Sequence, residues 1–435
     1  MRRTKLAELV DWKNAPSRKP LIIKGARQVG KTWLMKEFGN RFYTQTVYIN
    51  FEKSHRLQAL FTDDFDINRI LVALQAESGL TIKADNTLLI FDEIQAVPAA
   101  ITALKYFYED GPEYHIIAAG SLLGVALQAH ISFPVGKVNF MDLNPLTFIE
   151  FLDAMGANAL AEIIHSADWK LITAYKSKYI ELLRQYYYVG GMPEAVLKFT
   201  ENKNFYEVRE IQKQILNAYE LDFSKHAPKH IVPRIRMVWN SIPAQLAKKN
   251  HKFIYGIIKE GSRAKDYELA LSWLIDCGQV HKVCRITKPA LPLKAYEDRS
   301  AFKLFLVDIG LLSAMGDIDA KTLLGGSQVF TEFKGALTEQ YVFQQLNYSN
   351  HFAIFYWSAE RSTAEVDFVV QYRGLVVPLE VKAEENLQAK SLKTYKDKFS
   401  PKNSIRSSMS DFRKQDWLTN LPLYAVSELS GLLDE

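Results

Sequence analysis

The chain has 435 residues, little cysteine and no long apolar run. Its two cysteines, Cys277 and Cys284, are too few for a disulfide framework and lack the partners of a zinc site, so we expect small buried thiols in a reducing compartment. No stretch reaches the roughly 18 apolar residues of a membrane span, and no apolar segment follows the basic N-terminus as in a secretory signal. The net charge of +5 permits contact with nucleic acid without demanding it. These absences predict a cytoplasmic protein with no membrane partner.

The order of apolar and polar stretches predicts an α/β protein of several domains, because a chain of this length exceeds what one hydrophobic core serves. In the N-terminal part, short apolar strands alternate with helical stretches, which is typical of a parallel sheet covered on both faces. From Pro145 the pattern becomes helical and rich in aromatic residues, and a turn at Gly190–Pro193 breaks it into two helical blocks. Beyond Gly325 it becomes a compact α/β region, with a helix from about Asn386 to Tyr395. The predicted strands of the N-terminal sheet are Leu21–Ile23, Thr46–Phe51, Thr87–Asp92, Tyr114–Ala119 and Val138–Met141.

A glycine-rich loop follows the first predicted strand. The sequence LIIKGARQVGKT (21–32) contains the Walker A pattern in the context it requires, with a strand before the loop and a helix, Trp33–Phe38, after it. The glycines let consecutive N–H groups point at one phosphate, and the helix adds its positive dipole end. We expect Lys31 to reach the β- and γ-phosphates of ATP and the Thr32 hydroxyl to bind Mg²⁺, although the motif alone leaves an ordinary glycine turn open. The predicted nucleotide-binding residues here are Gly25, Ala26, Arg27, Gln28, Val29, Gly30, Lys31, Thr32 and Trp33.

Two carboxylates end the third predicted strand, in the sequence LLIFDE (88–93). A strand that ends in two acids is by itself usually a solvated strand end. Combined with the Walker A loop, the pair forms a Walker B element, in which Asp92 holds Mg²⁺ and Glu93 orients and polarises the attacking water. A kinase or a GTPase is disfavoured because neither has a clear use for the second acid. The paired motifs therefore predict an ATPase, with Lys31 and Glu93 in catalysis.

A serine follows the fourth predicted strand, in the sequence AAGSLL (118–123). In P-loop ATPases that carry an extra strand between the two Walker strands, a polar residue at this place lies near the nucleotide. Ser121 could therefore sense the γ-phosphate by a hydrogen bond. The alternative role, a cap on the helix that begins at Leu122, is equally open.

A second group of polar residues lies in the C-terminal region, in GALTEQYVFQQL, AEVDFVVQYRG and VPLEVKA. Asp367 and the pair Glu380 and Lys382 lie on two predicted strands of one hairpin. Because side chains alternate along a strand, Glu380 and Lys382 face the same side, where Asp367 can meet them. Two carboxylates at one point bind a divalent cation, and the lysine can steady charge on a phosphodiester. Glu339, on the preceding helix, is a further metal-ligand candidate, but strands with an acid and a lysine two residues apart are also common solvated faces.

Between these regions, helices followed by a hairpin (Gln279–Ile286 and Phe302–Val307) suggest a winged helix-turn-helix. We expect the helix Ser262–Cys277 to bury Leu269, Trp273 and Cys277 on one face. Basic residues of this segment suit phosphate contacts, although a solvated face explains them equally well. Three consecutive tyrosines, 186–188, could stack on bases but are more often core residues at helical positions. The basic residues are Arg263, Lys265, Lys282, Arg285 and Lys288.

Five segments together resemble a large group of bacterial and archaeal AAA-type ATPases: GARQVGKT, LLIFDEIQ, AAGSLL, PVGKVNFMDLNPLTFIEFL and GGMPEAV. The resemblance covers nearly the whole chain, and the motifs occur in the family's order. Members carry a C-terminal domain similar to the restriction-endonuclease fold, whose PD-(D/E)xK pattern Asp367, Glu380 and Lys382 match. The resemblance implies an AAA+-type P-loop core at 1–144, a helical lid at 145–230, a winged helix-turn-helix at 231–324 and a small α/β restriction-endonuclease-like domain at 325–435.

The family resemblance does not assign a role to two basic residues, Lys137 and Arg184. Family members usually have Gly-Arg where this chain has Gly136-Lys137, and lysine keeps the charge but loses the planar fork of arginine. If that residue contacts phosphate, Lys137 would complete the site less well. Arg184 is a candidate arginine finger, but a surface charge on a lid helix explains it better.

The sequence thus predicts an ATPase that requires ATP and Mg²⁺ and whose nuclease-like domain acts on or binds nucleic acid, DNA in preference to RNA. The alternative is a non-hydrolysing nucleotide switch whose degenerate nuclease-like domain only binds DNA or a protein, and the intact Glu93 argues against it. A nuclease that works without ATP is a further alternative. Whether the chain acts as a monomer, as a homo-oligomer or with a protein partner is left open.

Overall fold

The computed structural model describes residues 1–53, 60–61, 64–120, 124, 133–247, 252–325, 331–359, 363–385 and 388–434. Over these ranges the chain divides into two compact units. The first unit comprises Arg2–Asn144 with Asp276–Gln279, and the second comprises Met1, Pro145–Ile275 and Val280–Glu435. No helix in the described ranges is long and apolar enough to cross a membrane.

The first unit contains a parallel sheet of β1 (Leu21–Lys24), β2 (Gln45–Asn50), β3 (Thr87–Asp92), β4 (His115–Ala119) and β5 (Asn139–Asp142). The strands lie in the order β2-β3-β4-β1-β5, so β4 separates the two strands that carry the Walker motifs. The predicted α/β architecture with a parallel sheet is therefore confirmed. Its helices are α1 (Lys5–Asn14), α2 (Lys31–Phe42), α3 (Ile67–Ser78) and α4 (Pro98–Asp110).

The core of the first unit fixes where β3 ends. Every residue of this strand is buried, as expected for a central parallel strand with helices on both faces. Leu74 of α3 and Leu104 of α4 share one apolar cluster with Phe91 of β3. In the strand register, Ala119 at the end of β4 lies opposite Ile23 of β1 on one side and Asp92 of β3 on the other. The glycine-rich loop and the acidic strand end therefore flank the same strand at the carboxyl edge of the sheet.

The second unit begins with helices that bury aromatic residues. Tyr186, Tyr187 and Tyr188 all lie in its core, so the interpretation as base-stacking residues is wrong and the core interpretation is correct. The helices are α5 (Phe148–Ala154), α6 (Asn158–His165), α7 (Trp169–Ala174), α8 (Lys176–Val189), α9 (Pro193–Asn202), α10 (Phe205–His226), α11 (Val232–Leu246), α12 (Tyr255–Ile258) and α13 (Ala264–Asp276). Further along the chain follow α14 (Ile309–Met315), α15 (Ala320–Gly325), α16 (Thr331–Tyr348), α17 (Lys390–Phe399) and α18 (Leu429–Asp434).

A glycine pair ends α8 and is held by a buried carboxylate. Gly190 has a φ of +73°, and a Cβ there would lie 2.1 Å from Oδ1 of Asp308. The Gly191 N–H donates to Oδ2 of Asp308 at 2.6 Å, and the Leu311 N–H donates to Oδ1 at 3.0 Å. Burial raises the pKa of Asp308 to about 6. The predicted break between two helical blocks is therefore a tight turn that only glycine allows.

The strands of the second unit are β6 (Val280–Ile286), β7 (Glu297–Leu306), β8 (Ala353–Ser358), β9 (Glu365–Tyr372), β10 (Leu375–Val381), β11 (Ile405–Ser408), β12 (Arg413–Lys414) and β13 (Thr419–Pro422). They lie in the order β12-β13-β11-β10-β9-β8-β6-β7. The hairpin β6–β7, predicted as a wing, joins the C-terminal strands where Arg285 of β6 pairs with Tyr356 of β8. It is therefore an extension of the C-terminal sheet.

Three local predictions differ from the structure. Leu269, predicted on the buried face of α13, is 64% exposed. The helix buries Ala270 and Leu274 beside Trp273 instead. A helix has 3.6 residues per turn, so residues spaced strictly four apart drift away from the buried face. The last long helix, predicted at about Asn386–Tyr395, is α17 at Lys390–Phe399. The strands β11 to β13 were not predicted, since they are short and carry polar residues.

Candidate functional sites

The glycine-rich loop between β1 and α2 has a shape that depends on glycine at its first position. Gly25 has a φ of +148°, and a Cβ there would lie 2.1 Å from the carbonyl oxygen of Leu143. Gln28 and Gly30 also have positive φ angles, of 67° and 96°. Alternating backbone conformations of this kind turn successive N–H groups toward one point and form an anion-binding concavity. The loop can therefore hold a phosphate group at the N-terminus of α2.

Lys31, the first residue of α2, lies almost buried at the base of the loop. Its Nζ donates to the carbonyl oxygens of Gly25 and Ala26, each at 2.8 Å. Burial lowers the pKa of Lys31 to about 8, while the nearby carboxylates of Glu93 and Asp92 act in the opposite direction. The ammonium group is therefore close to both acids of the Walker B element.

The two Walker motifs meet at one carboxylate. The Thr32 hydroxyl donates to Oδ2 of Asp92 at 2.7 Å, across sixty residues of sequence. The hydroxyl of Tyr48, on the neighbouring strand β2, donates to the same oxygen at 2.9 Å. Hydroxyl and carboxylate oxygens are the ligands that Mg²⁺ prefers, so Thr32 and Asp92 fit the predicted metal. The sequence analysis missed Tyr48; the one available signal was a polar side chain on the strand beside β3.

Glu93 follows Asp92 in a left-handed backbone conformation, with a φ of +51°. Its N–H donates to Oδ1 of Asp92 at 3.1 Å, which ties the two acids together. The side-chain amide of Gln95 donates to Oε2 of Glu93 at 2.6 Å. The carboxylate is thus oriented by a partner two residues along the chain, in the short 3-10 helix Ile94–Ala96.

Other predicted residues of the first unit lie at different places. Trp33 is 44% exposed on α2 beside the loop, and Ser121 lies outside the described residues. Lys137 precedes β5, which runs parallel to β1 from Asn139, so it lies at the amino edge of the sheet, opposite the loop. There its Nζ pairs with Glu109 at 3.0 Å. The structure therefore excludes Lys137 from the phosphate site.

In the second unit, Arg184 donates to the carbonyl oxygen of Leu324 at 3.4 Å. This contact lies between α8 and the end of α15, within one unit. It shows the arginine packed on its own chain.

The C-terminal acids lie together on one side of the sheet, as the strand alternation predicted. Oδ2 of Asp367 accepts from the Val381 N–H at 2.7 Å, and Lys382 pairs with Oε1 of Glu380 at 2.7 Å. Burial and the negative charge of Glu339 raise the pKa of Asp367 well above its usual range. Glu365 lies two residues before Asp367, on the same face of β9. We call the four acidic residues Glu339, Glu365, Asp367 and Glu380 the acid cluster.

Lys303 on β7 is fully buried against the acid cluster, and the sequence analysis missed it. Its Nζ lies 2.7 Å from Oε1 of Glu365 and 3.2 Å from Oε2 of Glu339. Burial would lower the pKa of Lys303, but these two carboxylates outweigh it and raise the pKa. The lysine comes from the hairpin that was assigned to a different domain, so only the three-dimensional structure brings it to the acids.

The acid cluster does not fit a divalent metal as it is arranged. Among the described residues, no group of three acidic, histidine or cysteine side chains is placed to hold a metal ion. Carboxylate oxygens of Glu339 and Glu365 contact the ammonium group of Lys303. One oxygen of Glu380 contacts the ammonium group of Lys382. The set Glu339, Asp367 and Glu380, predicted as metal ligands, is therefore not formed as a metal centre.

The basic residues on and near the hairpin differ in the contacts that their charged groups make. Arg285 is tied to Asp298 at 2.6 Å, whereas Lys282 and Lys288 lie over the rings of Phe302 and Tyr296. A second group of exposed lysines, which the sequence analysis did not single out, lies on and after α17. They are Lys390, Lys393, Lys398 and Lys402.

Several solved structures are similar to this chain at low identity. A Walker-type ATPase of Pyrococcus abyssi is 14% identical, with 73% of this chain and 95% of that chain covered and a TM-score of 0.46. The Orc1 protein of Aeropyrum pernix in complex with DNA is 13% identical, with 73% and 93% covered and a TM-score of 0.29. Cdc6p from Pyrobaculum aerophilum is 12% identical, with 74% and 93% covered and a TM-score of 0.26. These scores are too low to carry an argument.

Family models match three parts of the chain, while no curated protein matches it. Residues 180–322 and 334–426 match two models described as domains of unknown function, DUF8612 and DUF4143. Residues 17–152 match the model described as an AAA domain. This region contains the glycine-rich loop, the acidic end of β3 and the parallel sheet. Residues 17–152 are therefore similar to the AAA domain of P-loop ATPases.

Proposed function

We propose that the first unit binds ATP with Mg²⁺ through the residues of the two Walker motifs and that Glu93 drives its hydrolysis. The observation that carries this proposal is the hydrogen bond of 2.7 Å between Thr32 and Asp92, which joins the two motifs. Thr32 and Asp92 would hold the metal, which neutralises charge on the phosphates when bound. Lys31 is placed to exchange its carbonyl contacts for phosphate oxygens.

Glu93 acts on water rather than on the metal in this proposal. Its backbone N–H is tied to Asp92, so its own carboxylate is directed separately and is held by Gln95. A carboxylate in this place accepts a proton from the attacking water and aligns it with the γ-phosphate. A non-hydrolysing switch would have no use for an oriented acid here.

We further propose that the second unit binds nucleic acid, with its C-terminal part as a restriction-endonuclease-like module. In support, α16 is followed by the strands β8, β9 and β10, by α17, and by β11 parallel to β10. The exposed lysines on and after α17 supply the positive charge that phosphate backbones require. The helices α11 and α13 remain proposed as a helix-turn-helix, while the hairpin that follows them belongs to the C-terminal sheet.

The test is fluorescence anisotropy of labelled double-stranded DNA and of RNA with the full chain, at several salt concentrations. We expect the double variant Lys390→Glu, Lys393→Glu to weaken binding at least tenfold and to reduce the salt slope by about two phosphate contacts. The matched control is Lys213→Glu, an exposed lysine on α10. Equal effects of the control and the double variant, or no binding by the wild type, would refute the proposed surface.

A module that binds without cutting is favoured over a nuclease by one observation. The acid cluster already contains a buried lysine, and its carboxylates are not arranged around a vacant metal position. This agrees with the part of the alternative that makes the nuclease-like domain degenerate. The nucleotide site, in contrast, keeps Lys31, Thr32, Asp92 and Glu93, which the proposed hydrolysis uses.

A further inference from the structure

We propose that the acid cluster is a metal-free ion-pair core in which the ammonium group of Lys303 replaces a divalent cation, so that the C-terminal module cannot cleave a phosphodiester. The inference concerns the module for which nucleic-acid binding is proposed, but it does not depend on that binding or on ATP hydrolysis. It predicts that removing one lysine creates a metal dependence that the wild type lacks.

The position of Lys303 is the main argument. A fully buried ammonium group requires compensation by charge and hydrogen bonds, and Glu365 and Glu339 supply both at 2.7 and 3.2 Å. One of these oxygens belongs to Glu339, which was itself predicted as a metal ligand on α16. The other belongs to Glu365, on the strand β9 that also carries Asp367. The lysine therefore takes the coordination positions that a metal ion would need.

Two further cations balance the other side of the cluster. Lys382 pairs with Glu380 at 2.7 Å. Arg406 on β11 lies opposite Glu380 in the strand register and is 2% exposed, and its guanidinium also donates to Asn420 at 2.9 Å. Lys303 and Lys382 thus pair with three of the four carboxylates of the acid cluster, and Arg406 is the strand neighbour of Glu380.

A divalent metal would have to compete with this arrangement. It would bind carboxylates that the Lys303 ammonium group already contacts at 2.7 and 3.2 Å, and two cations on the same buried carboxylates repel strongly. Freeing the carboxylates would also leave Lys303 buried and unpaired, which is costlier than leaving the pair intact. One feature points the other way: Oε2 of Glu380 is buried and has no hydrogen-bond partner. A metal that binds through this oxygen is the outcome that would overturn the proposal.

The first experiment counts Mn²⁺ ions bound to the nucleotide-free full chain by electron paramagnetic resonance. We expect Glu380→Gln and Asp367→Asn to bind as many ions as the wild type, with unchanged affinity. Any ion bound at the nucleotide site is identified by its loss in Asp92→Asn. An ion that the wild type binds and that both C-terminal variants lose would overturn the proposal. So would Mn²⁺-dependent plasmid cleavage that Asp367→Asn abolishes.

The second experiment removes the lysine. Lys303→Met leaves buried acids uncompensated, and we expect the melting temperature of the second unit to fall by roughly 10 °C. Mn²⁺ should restore part of this loss in the variant and leave the wild type unchanged. The matched control is Lys282→Met, an exposed lysine on the neighbouring strand β6, for which no comparable fall is expected.

A double variant separates charge balance from simple loss of packing. In Lys303→Met with Glu339→Gln, one charge of each sign is removed, so the fall should be smaller than the sum of the two single effects. Additive effects in the double variant, or a single variant Lys303→Met whose stability equals that of the wild type, would contradict the proposal. If Lys303→Met does not fold, the ion count on the wild type and Glu380→Gln still decides the question.

Discussion

At the scale of single residues, one carboxylate organises the nucleotide site. Oδ2 of Asp92 accepts from Thr32 on α2 and from Tyr48 on β2, and its Oδ1 accepts from the Glu93 N–H. Donors from separate elements leave the group little freedom to rotate. The neighbouring acid, Glu93, is fixed by a different donor, Gln95, so the two acids are oriented independently.

The role of Gln95 gives a prediction at this scale. A hydrogen bond to a charged group is worth about 1.5–3 kcal/mol, so Gln95→Ala should lower ATP turnover about tenfold or more if the bond orients Glu93 in the reaction. The affinity for ATP should not change, because Gln95 contacts the acid and not the loop. Steady-state hydrolysis and equilibrium ATP binding measure the two quantities.

The matched control for this prediction is Gln45→Ala, at the half-buried start of β2, where the side-chain amide donates to the Thr81 carbonyl oxygen at 2.9 Å. It should leave turnover unchanged. Equal turnover in Gln95→Ala and the wild type would show that the observed contact has no part in catalysis.

At the scale of elements, the loop and the hairpin show what local sequence can and cannot specify. The glycine-rich loop is specified locally, because its glycines have positive φ angles, although the backbone that Gly25 lies against comes from the segment after β5. The hairpin β6–β7 was found at nearly the right residues, but its partner strand β8 lies far along the chain. Nothing in the residues of β6 identifies that partner.

Gly25→Ala tests the loop. The added Cβ would meet the carbonyl oxygen of Leu143 at 2.1 Å, and neither backbone can yield, so ATP binding should be lost and the first unit should unfold more easily. Gly136→Ala is the matched control, since it also has a positive φ, +72°, but has open space around it. It should lower stability by only about 1–2 kcal/mol, from the left-handed backbone.

Urea unfolding and equilibrium ATP binding distinguish the two variants. The expected order of stability is wild type, Gly136→Ala, then Gly25→Ala, with ATP binding lost only in the last. Retained ATP binding by Gly25→Ala would mean that the loop does not need the observed conformation.

At the scale of the whole molecule, the chain forms two compact units, whereas the sequence suggested four domains. The proposed lid, winged helix-turn-helix and nuclease-like parts all fall in the second unit. Within it, Lys303 and the ring pair Phe305–Phe343, with centroids 4.4 Å apart, connect the hairpin to the C-terminal elements. The part that begins at residue 325 therefore lacks a strand pair on which its own core depends.

A fragment of residues 325–435 should consequently not fold alone. It would expose the edge of β8 that pairs with β6 and the side of α16 that packs against β7, and it would leave Glu339 and Glu365 without Lys303. A fragment of residues 145–435 keeps these contacts and should show a cooperative thermal transition by circular dichroism. A cooperative transition in the shorter fragment would show that the hairpin is dispensable for the C-terminal module.

Sequence reasoning found what depends on residues close together in the chain. The Walker loop, the acidic strand end, the positions along the chain of the strands of the first sheet and the alternation that brings Glu380 beside Lys382 all follow from local spacing. It failed where contacts cross long stretches of sequence, as for Tyr48, Lys303 and the strand partner of β6. It also left a phosphate contact open for Lys137, because a motif in sequence order does not show at which edge of a sheet a residue lies.

The most direct test of the central claim is ATP turnover by the wild type and by Glu93→Gln, each with and without DNA or RNA. The account predicts that the wild type hydrolyses ATP and that Glu93→Gln binds ATP with similar affinity while losing at least a hundredfold in turnover. Equal turnover in both proteins, or ATP binding without hydrolysis in the wild type, would contradict the assignment of Glu93 as the acid that activates water.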